Sequence, residues 1–233
     1  MSDFSLFEFN YWQELENDLL EMIFQALLLL KKESKEEVEE NSINFILNRC
    51  FLKASRIKIK DRYGNFIRNR KPIYEAERIS YEDDEIRNGR MGKRPDFQWE
   101  ILDDNAPVDS ITYSIVFTIE CKRLGETYMS KAYVENGILR FIKKEWSYGE
   151  GTTSGAMIGY IQNSNQIDIL KNINKICKSK SISNLVKYQN KNSDDIFSYT
   201  EDIKRNTIYP HNFLLYHFWI DLNNFPNDEL HKK

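Results

Sequence analysis

The sequence is poor in the residues that mark fibrous, disulfide-bonded and membrane-spanning chains. Its 233 residues include only 9 Gly and 5 Pro, which excludes collagen-like and linker-like compositions. The three cysteines, Cys50, Cys121 and Cys177, are odd in number and form no CxxC pair, as expected in a reducing cytoplasm. The longest apolar run, residues 26–30, is far shorter than the roughly 20 residues that cross a bilayer, and the N-terminus lacks a secretory-signal pattern. These absences predict a soluble cytoplasmic protein without a membrane partner.

The chain also lacks a strong net charge. Lys and Arg total 33 against 36 Asp and Glu, a formal charge of −3, whereas a protein that coats nucleic acid is usually strongly basic. The charge is nevertheless uneven, because residues 49–71 contain nine basic residues and one acid, a local charge of +8. This block is either the solvated surface of a hairpin or a phosphate-binding surface, and we favour the second. The side chains predicted to contact nucleic acid are Arg56, Lys58, Lys60, Arg62, Lys93, Arg94 and Arg123.

Hydrophobic periodicity predicts a mixed α and β chain. Hydrophobic residues make up 41% of the sequence and aromatic residues 13%, which excludes wholesale disorder. The predicted helices span 11–32, 36–49, 131–146 and 165–180, and the predicted strands span 56–60, 95–102, 111–122, 156–161 and 213–222. Residues 80–94 and 187–207 are polar and are predicted to be loops. The order indicates an α/β fold, an α+β sandwich whose central mixed sheet is flanked by helices, with an N-terminal helical pair.

The most informative pattern lies in the strand-like segments 96–101 and 111–122. Apolar and polar residues alternate in both, and successive side chains of a strand point to opposite faces of the sheet. Glu120 and Lys122 therefore share one face, and Asp96 lies on the polar face of the other segment. If these strands are neighbours, the two carboxylates converge beside the lysine. Such buried charges are destabilising unless they are compensated, and a hard divalent cation such as Mg²⁺ would satisfy the carboxylates.

Pro95-Asp96, followed by Glu120-Cys121-Lys122 at a strand end, resembles the PD-(D/E)xK nuclease superfamily, which has the restriction-endonuclease-like fold. Two other Asp/Glu-x-Lys triplets exist, at 33–35 and 202–204. Only the triplet at 120–122 ends a β-branched and aromatic strand and follows the chain's only Pro-Asp dipeptide.

The resemblance covers roughly residues 60–165 and implies a single domain. It comprises a first strand, the Asp strand, the Glu-x-Lys strand, a crossover helix and a further strand. In that domain, residues 1–50 form leading helices and residues 55–165 form the catalytic core. Residues 166–233 add a C-terminal helix, a polar insert and a strand.

The resemblance also implies roles for individual residues. Asp96, Glu120 and the backbone carbonyl of Cys121 would bind Mg²⁺ or Mn²⁺ beside the scissile phosphate, and Lys122 would orient the attacking water and stabilise developing charge. Gln162, at the end of the next strand, would help hold the water or the metal. A further acid often completes such sites. The sequence does not choose among Glu14, Glu21, Glu37, Glu40 and Glu77.

The function implied is that of a metal-dependent endonuclease that hydrolyses DNA phosphodiester bonds. By analogy alone, it would be the nuclease subunit of a prokaryotic antiviral defence or restriction system, working with a partner subunit or as a homodimer. Two alternatives stay open: a nuclease of repair or RNA processing, and a non-catalytic nucleic-acid- or protein-binding module that retains the fold. The intact set of Asp96, Glu120 and Lys122 favours catalysis.

The same motifs also have purely structural interpretations. Asp96 can cap a turn after Pro95, and Glu120 and Lys122 can form a surface pair that contributes little to stability. His211 and His217 share a strand face, but without a third ligand they favour a structural role over zinc binding. The separation of the two carboxylates is the decisive quantity, because groups more than about 8 Å apart cannot share one cation.

Overall fold

A computed structural model describes residues 6–33, 39–56, 72–75, 94–102, 114–188 and 193–223. The described helices are α1 (Leu6–Glu33), α2 (Glu40–Ala54), α3 (Thr127–Glu135) and α4 (Gln166–Ser179), and residues Ile138–Phe141 form a 3₁₀ turn. The described strands are β1 (Ile73–Tyr74), β2 (Phe97–Leu102), β3 (Ser114–Leu124), β4 (Ser154–Ile161), β5 (Val186–Lys187), β6 (Ile196–Lys204) and β7 (Asn212–Asp221).

These strands form one mixed sheet in the order β1-β2-β3-β4-β7-β6-β5. Strands β3, β4 and β7 are parallel, and the strands on either side of this trio pair antiparallel to their neighbours. The parallel pair β3 and β4 needs a crossover connection, which α3 supplies. The predicted α+β sandwich, with a mixed sheet flanked by helices and an N-terminal helical pair, is confirmed.

Two apolar layers cover the two faces of the sheet. Helices α1 and α2 pack on one face, where Phe51 of α2 meets Phe97 and Trp99 of β2 at ring-centroid distances of 5.1 and 5.4 Å. Phe117 and Ile119 belong to the same layer. Helices α3 and α4 pack on the other face. The predicted alternation therefore places the apolar side chains of β2 and β3 against α1 and α2.

Two predicted elements were wrong. The helix expected over 131–146 is replaced by α3, which ends at Glu135, and by the 3₁₀ turn. Gly137 separates them, and a Cβ there would lie 2.4 Å from the Tyr133 carbonyl oxygen. The loop expected over 187–207 contains β6, which pairs with β7 from Ile196 to Lys204. The segment contains Ser, Thr, Glu and Asp and is exposed at Asp202 and Lys204, which gives it the composition of a loop, but it forms a hairpin with β7, the next strand along the chain.

Other predicted boundaries shifted or fall outside the described residues. Helix α2 begins and ends later than the predicted 36–49, and β4 begins two residues before the predicted 156. The predicted strand 56–60 and most of the predicted loop 80–94 lie outside the described residues. All three cysteines are buried free thiols.

No described helix is both long enough and apolar enough to cross a bilayer.

A buried arginine anchors the loop that precedes β4. Arg205 follows β6, is 1% exposed, and directs its guanidinium at backbone carbonyl oxygens. It donates to Pro210 O at 3.0 and 2.7 Å, Tyr148 O at 3.2 Å, Gly149 O at 3.1 Å and Thr152 O at 3.4 Å. Arg205 therefore ties the loop at residues 148–152 to the turn between β6 and β7.

We predict that Arg205→Met lowers the free energy of unfolding by about 3 kcal/mol, because a buried carbonyl that loses its donor is costly. The matched control is Lys204→Met, which changes an exposed neighbour on β6. Urea unfolding of both variants measures the difference. Equal stability of the two variants would contradict the role assigned to Arg205.

Candidate functional site

Four charged side chains converge where α2 begins, β2 begins and β3 ends. They are Glu40, Asp96, Glu120 and Lys122. The predicted pairing of the two strands is observed, because β2 and β3 are antiparallel neighbours with Phe97 opposite Ile119. Asp96 lies one residue before β2, at the level of Glu120. The first residue of α2, Glu40, reaches the same point from the helix that covers the sheet.

Lys122 is the centre of this cluster. Its Nζ lies 2.9 Å from Glu40 Oε1, 2.8 Å from Glu120 Oε1 and 2.6 Å from the Cys121 carbonyl oxygen. An ammonium group has three hydrogens, so these three oxygens match its donors. Asp96 Oδ2 lies further away, at 4.0 Å. The cluster is therefore an ammonium group enclosed by oxygens, which is also the ligand type that a hard cation prefers.

Asp96 is held by groups that are distant in sequence. Its Oδ2 accepts from the Cys121 backbone N–H at 2.7 Å, and its Oδ1 accepts from Asn44 Nδ2 at 3.1 Å. Asn44 Oδ1 in turn accepts from the buried Tyr160 hydroxyl at 2.6 Å. These partners come from β3, α2 and β4, so the carboxylate is positioned by the tertiary structure and not by a local turn.

Glu120 is the most enclosed of the three acids. Its side chain is 1% exposed, so the interpretation of Glu120 and Lys122 as a surface pair is wrong. Arg140 Nη1 donates to Glu120 Oε1 at 2.5 Å, the oxygen that also contacts Lys122. The other oxygen, Glu120 Oε2, is buried and has no hydrogen-bond partner in the part of the chain that the structure describes. A buried acceptor without a donor is destabilising, so this oxygen is suited to a ligand.

Burial and mutual repulsion change the acid–base properties of the cluster. Burial, with the charge of Glu120, raises the pKa of Asp96 to about 7. Burial also raises the pKa of Glu120, although Lys122 and Arg140 oppose that shift. Burial alone would lower the pKa of Lys122, but the surrounding carboxylates raise it, so the ammonium group stays charged. A divalent cation bound beside Lys122 and Arg140 would favour the ionised forms of Asp96 and Glu120.

The geometry passes the distance requirement for a shared cation. Lys122 Nζ lies 2.8 Å from Glu120 Oε1 and 4.0 Å from Asp96 Oδ2, so these oxygens are at most about 7 Å apart, below the limit of about 8 Å. Within the described ranges, no three His, Cys, Asp or Glu side chains already stand close enough to hold a metal ion. The Lys122 ammonium lies among the acids instead. The unpartnered Glu120 Oε2, Asp96 and the Cys121 carbonyl nevertheless fit the donor set that Mg²⁺ or Mn²⁺ prefers.

Of the three candidate additional acids that the structure describes, Glu14, Glu21 and Glu40, Glu40 is the one that contacts the cluster. Glu40 contacts Lys122 and also accepts from the Arg123 backbone N–H at 3.2 Å. Glu21 lies on α1, where it accepts from Gln25 Nε2 at 2.9 Å. Glu14 lies on α1 as well. Glu37 and Glu77 lie outside the described residues.

Gln162 is not among the groups that contact Lys122. It follows β4, and its backbone N–H donates to the Leu124 carbonyl at 2.6 Å. The register pairs Lys122 with Gly159, so Gln162 lies three residues further along, roughly 10 Å by strand geometry. Its predicted role at the metal or the water stays a prediction.

The predicted nucleic-acid contacts are only partly described. Arg56 is exposed after α2, Arg94 is exposed just before Pro95, and Arg123 is half-buried beside Glu40. The remaining four, Lys58, Lys60, Arg62 and Lys93, lie outside the described residues.

His211, just before β7, and His217, on β7, contact groups other than the four charged side chains of the cluster. His211 Nδ1 lies 2.8 Å from the Arg205 carbonyl oxygen. The buried His217 ring lies between the Tyr133 hydroxyl, 2.9 Å from Nδ1, and Glu201 Oε2, 3.3 Å from Nε2.

Sequence reasoning missed Asn44 and Tyr160 as parts of the site, and it named Arg140 only as a basic residue that could extend a nucleic-acid groove, not as a partner of Glu120. A signal existed for Asn44, which is a buried polar residue beside Ile43 on the apolar face of α2. Arg140 had no such signal, because its contact with Glu120 depends on the 3₁₀ turn that replaces the predicted helix.

Comparison with known proteins gave no match: no family model, curated protein or solved structure matches the chain. The function is therefore inferred from the residues of the site.

We predict that Asp96 makes the metal-free protein less stable as pH rises. Asp96 keeps its proton in the folded protein up to about pH 7, whereas the unfolded chain releases it near the ordinary value. The folded state is therefore favoured at lower pH, and this contribution disappears as pH rises through the folded pKa. Relative to Asp96→Asn, wild-type stability should fall by about 2 kcal/mol between about pH 5 and pH 8.

Urea unfolding across that pH range, in the presence of a chelator, measures this difference. Asp202→Asn, an exposed site on β6, is the matched control and should follow the wild-type curve. Parallel curves for wild type and Asp96→Asn would show that Asp96 titrates normally.

Proposed function

We propose that the chain is a metal-dependent nuclease that hydrolyses DNA phosphodiester bonds. The observation that carries this proposal is the convergence of Asp96, Glu120 and the Cys121 carbonyl around the Lys122 ammonium, with Glu120 Oε2 buried and unpartnered. An acid pair, a carbonyl oxygen and a lysine at one point are the groups that metal-assisted phosphoryl chemistry requires.

The residues that would hold Mg²⁺ or Mn²⁺ are Asp96, Glu120 and the Cys121 carbonyl, and Glu40 is the additional acid within reach. When all are ionised, three carboxylates face Lys122 and Arg140, so the cluster keeps one net negative charge. The ion, when bound, lowers the pKa of a coordinated water and neutralises phosphoryl oxygens. The sequence resemblance implies the same ligand set apart from Glu40.

Lys122 supplies a fixed positive charge at the place where negative charge develops. Its ammonium stays protonated at neutral pH because of the surrounding carboxylates. Glu40 holds it from the helix side and Glu120 from the strand side. A preorganised charge of this kind requires little rearrangement during the reaction, so Lys122 is suited to orient the attacking water and to stabilise the phosphoryl oxygens.

The order of elements supports the proposal. The Asp strand β2, the Glu-x-Lys strand β3, a crossover helix and the parallel strand β4 follow one another, with helices ahead of them. The resemblance implies this same order. The exposed Arg56 and Arg94 are candidate phosphate contacts. By analogy only, the biological setting would be a prokaryotic defence or restriction system, with a partner subunit or a second copy of the chain.

We predict that the purified protein nicks or linearises plasmid DNA in Mg²⁺ or Mn²⁺ and that EDTA abolishes this activity. Lys122→Met and Glu120→Gln should each lower the rate at least about 100-fold, because each removes charge at the reacting phosphate. Lys171→Met, an exposed lysine on α4, is the matched control and should keep the wild-type rate. Gel assays with supercoiled plasmid measure all of these rates.

Cleavage that survives both EDTA and Lys122→Met would eliminate the mechanism. Folded protein that binds DNA but cleaves neither DNA nor RNA with any divalent cation would instead identify a binding module. Preference for RNA over DNA in the same assay would change the substrate and leave the chemistry as proposed.

A further inference from the structure

Arg140 makes an unusual contact with the most buried acid of the site. It belongs to the 3₁₀ turn after α3, and its Nη1 lies 2.5 Å from Glu120 Oε1. Its guanidinium carbon lies 4.1 Å above the Trp146 ring and 6.0 Å from the Tyr148 ring. The arginine therefore lies between a carboxylate on the sheet and two aromatic rings of the following loop.

The pairing of Arg140 with Glu120 uses only part of what both groups offer. Arginine and carboxylate pair most strongly through two parallel hydrogen bonds. Here a single bond is formed, and among the described residues neither Glu120 Oε2 nor Arg140 Nε, both of which are buried, has a hydrogen-bond partner. A permanent structural pair would be expected to use these two atoms for each other. That these two atoms do not pair with each other indicates that Glu120 and Arg140 are each available to another ligand.

The positive charges around Glu120 support the same conclusion. Lys122 and Arg140 both contact Oε1, at 2.8 and 2.5 Å, so two single positive charges stand at one carboxylate oxygen. Their total equals the charge of one divalent cation. Adding such a cation to Glu120 while both remain would crowd like charges within a few ångströms, where repulsion in a partly buried site is strong.

We propose that Arg140 is an exchangeable counter-ion of Glu120, which leaves the carboxylate when a divalent cation binds there and then contacts a substrate phosphate. The inference rests on the proposed metal site and names a further substrate-binding residue for it. Arg140 is better placed to leave than Lys122. Its side chain is 21% exposed against 13% for Lys122, and Lys122 has two further oxygen partners, on Glu40 and Cys121.

The aromatic contacts of Arg140 suit this exchange. A guanidinium stacks on Trp or Tyr through its face and leaves its N–H groups free at the edge. Trp146 and Tyr148 can therefore keep the arginine near the site after it leaves Glu120. The planar group then presents paired donors, which match two oxygens of a phosphate.

The test measures cation binding without DNA. We expect Arg140→Gln to bind Mn²⁺ about tenfold more tightly than wild type, since the competing cation is gone and a charged hydrogen bond is worth about that factor. The same variant should cleave DNA at least about 100-fold more slowly. Arg140→Lys should have intermediate Mn²⁺ affinity and partial cleavage. Lys144→Gln removes an exposed charge from the same segment and should leave Mn²⁺ affinity unchanged.

Titration calorimetry gives the affinities, at a pH above the value of about 7 to which the pKa of Asp96 is raised. Fluorescence gives a second readout on the unaltered chain, because Trp146 is half-buried against Arg140 while Trp12, Trp99 and Trp219 are buried. Saturating Mn²⁺ or Mg²⁺ should change the emission of wild type. Trp146→Phe should abolish that change without abolishing cation binding.

The outcomes separate this inference from the proposed function. Wild type that binds Mn²⁺ and cleaves DNA, with Mn²⁺ affinity unchanged in Arg140→Gln and no response from Trp146, would make Arg140 a fixed counter-ion and overturn the exchange. Absence of divalent-cation binding in wild type and in both Arg140 variants would overturn the metal site itself, and the exchange with it. If Arg140→Gln does not fold, the Mn²⁺ affinity of Arg140→Lys and the wild-type fluorescence decide whether Arg140 leaves Glu120 when the cation binds.

Discussion

The ammonium group of Lys122 is the interaction on which the site depends. It joins Glu40 at the start of α2 to Glu120 inside the sheet, and it also contacts the Cys121 carbonyl. Without it, a nearly inaccessible carboxylate would face Asp96 with Arg140 as its sole neutralising contact in the described structure. Buried like charges of this kind are destabilising by several kcal/mol. The lysine therefore makes the acid pair compatible with a folded chain, and it also holds the charge that the proposed chemistry uses.

The surrounding helices and strands hold the charged side chains of the cluster in fixed positions. The antiparallel pairing of β2 and β3 sets Asp96 beside the strand end, and the Cys121 N–H fixes one of its oxygens. Asn44 of α2 donates to the other oxygen, and the Tyr160 hydroxyl of β4 donates to Asn44 and holds it in place. Each partner is part of a helix or strand, and sites held by such elements are positioned more accurately than sites on loops.

Period-two alternation was enough to predict the centre of the site from sequence. It assigned Glu120 and Lys122 to one face, and it brought Asp96 to them on the condition that β2 and β3 are neighbours. It could not predict Glu40, Asn44 or Arg140, since those contacts depend on how helices dock on the sheet, which periodicity does not encode. Strand β6 was missed for a different reason. The segment was interpreted as a loop from its polar residues, although Ile196, Phe197 and Tyr199 favour a strand, and it pairs with β7.

The hydrogen bonds of Arg205 link the charged cluster to a distant part of the chain. Its guanidinium holds the carbonyls of a loop 57 residues earlier in the chain, and that loop carries the rings on which Arg140 rests. Arg205 lies after β6, so the loop that carries the rings beside Arg140 is tied to the turn before β7. None of the four charged side chains Glu40, Asp96, Glu120 and Lys122 comes from that turn. A substitution at Arg205 can therefore shift the surroundings of Glu120 from a part of the chain that does not contact it directly.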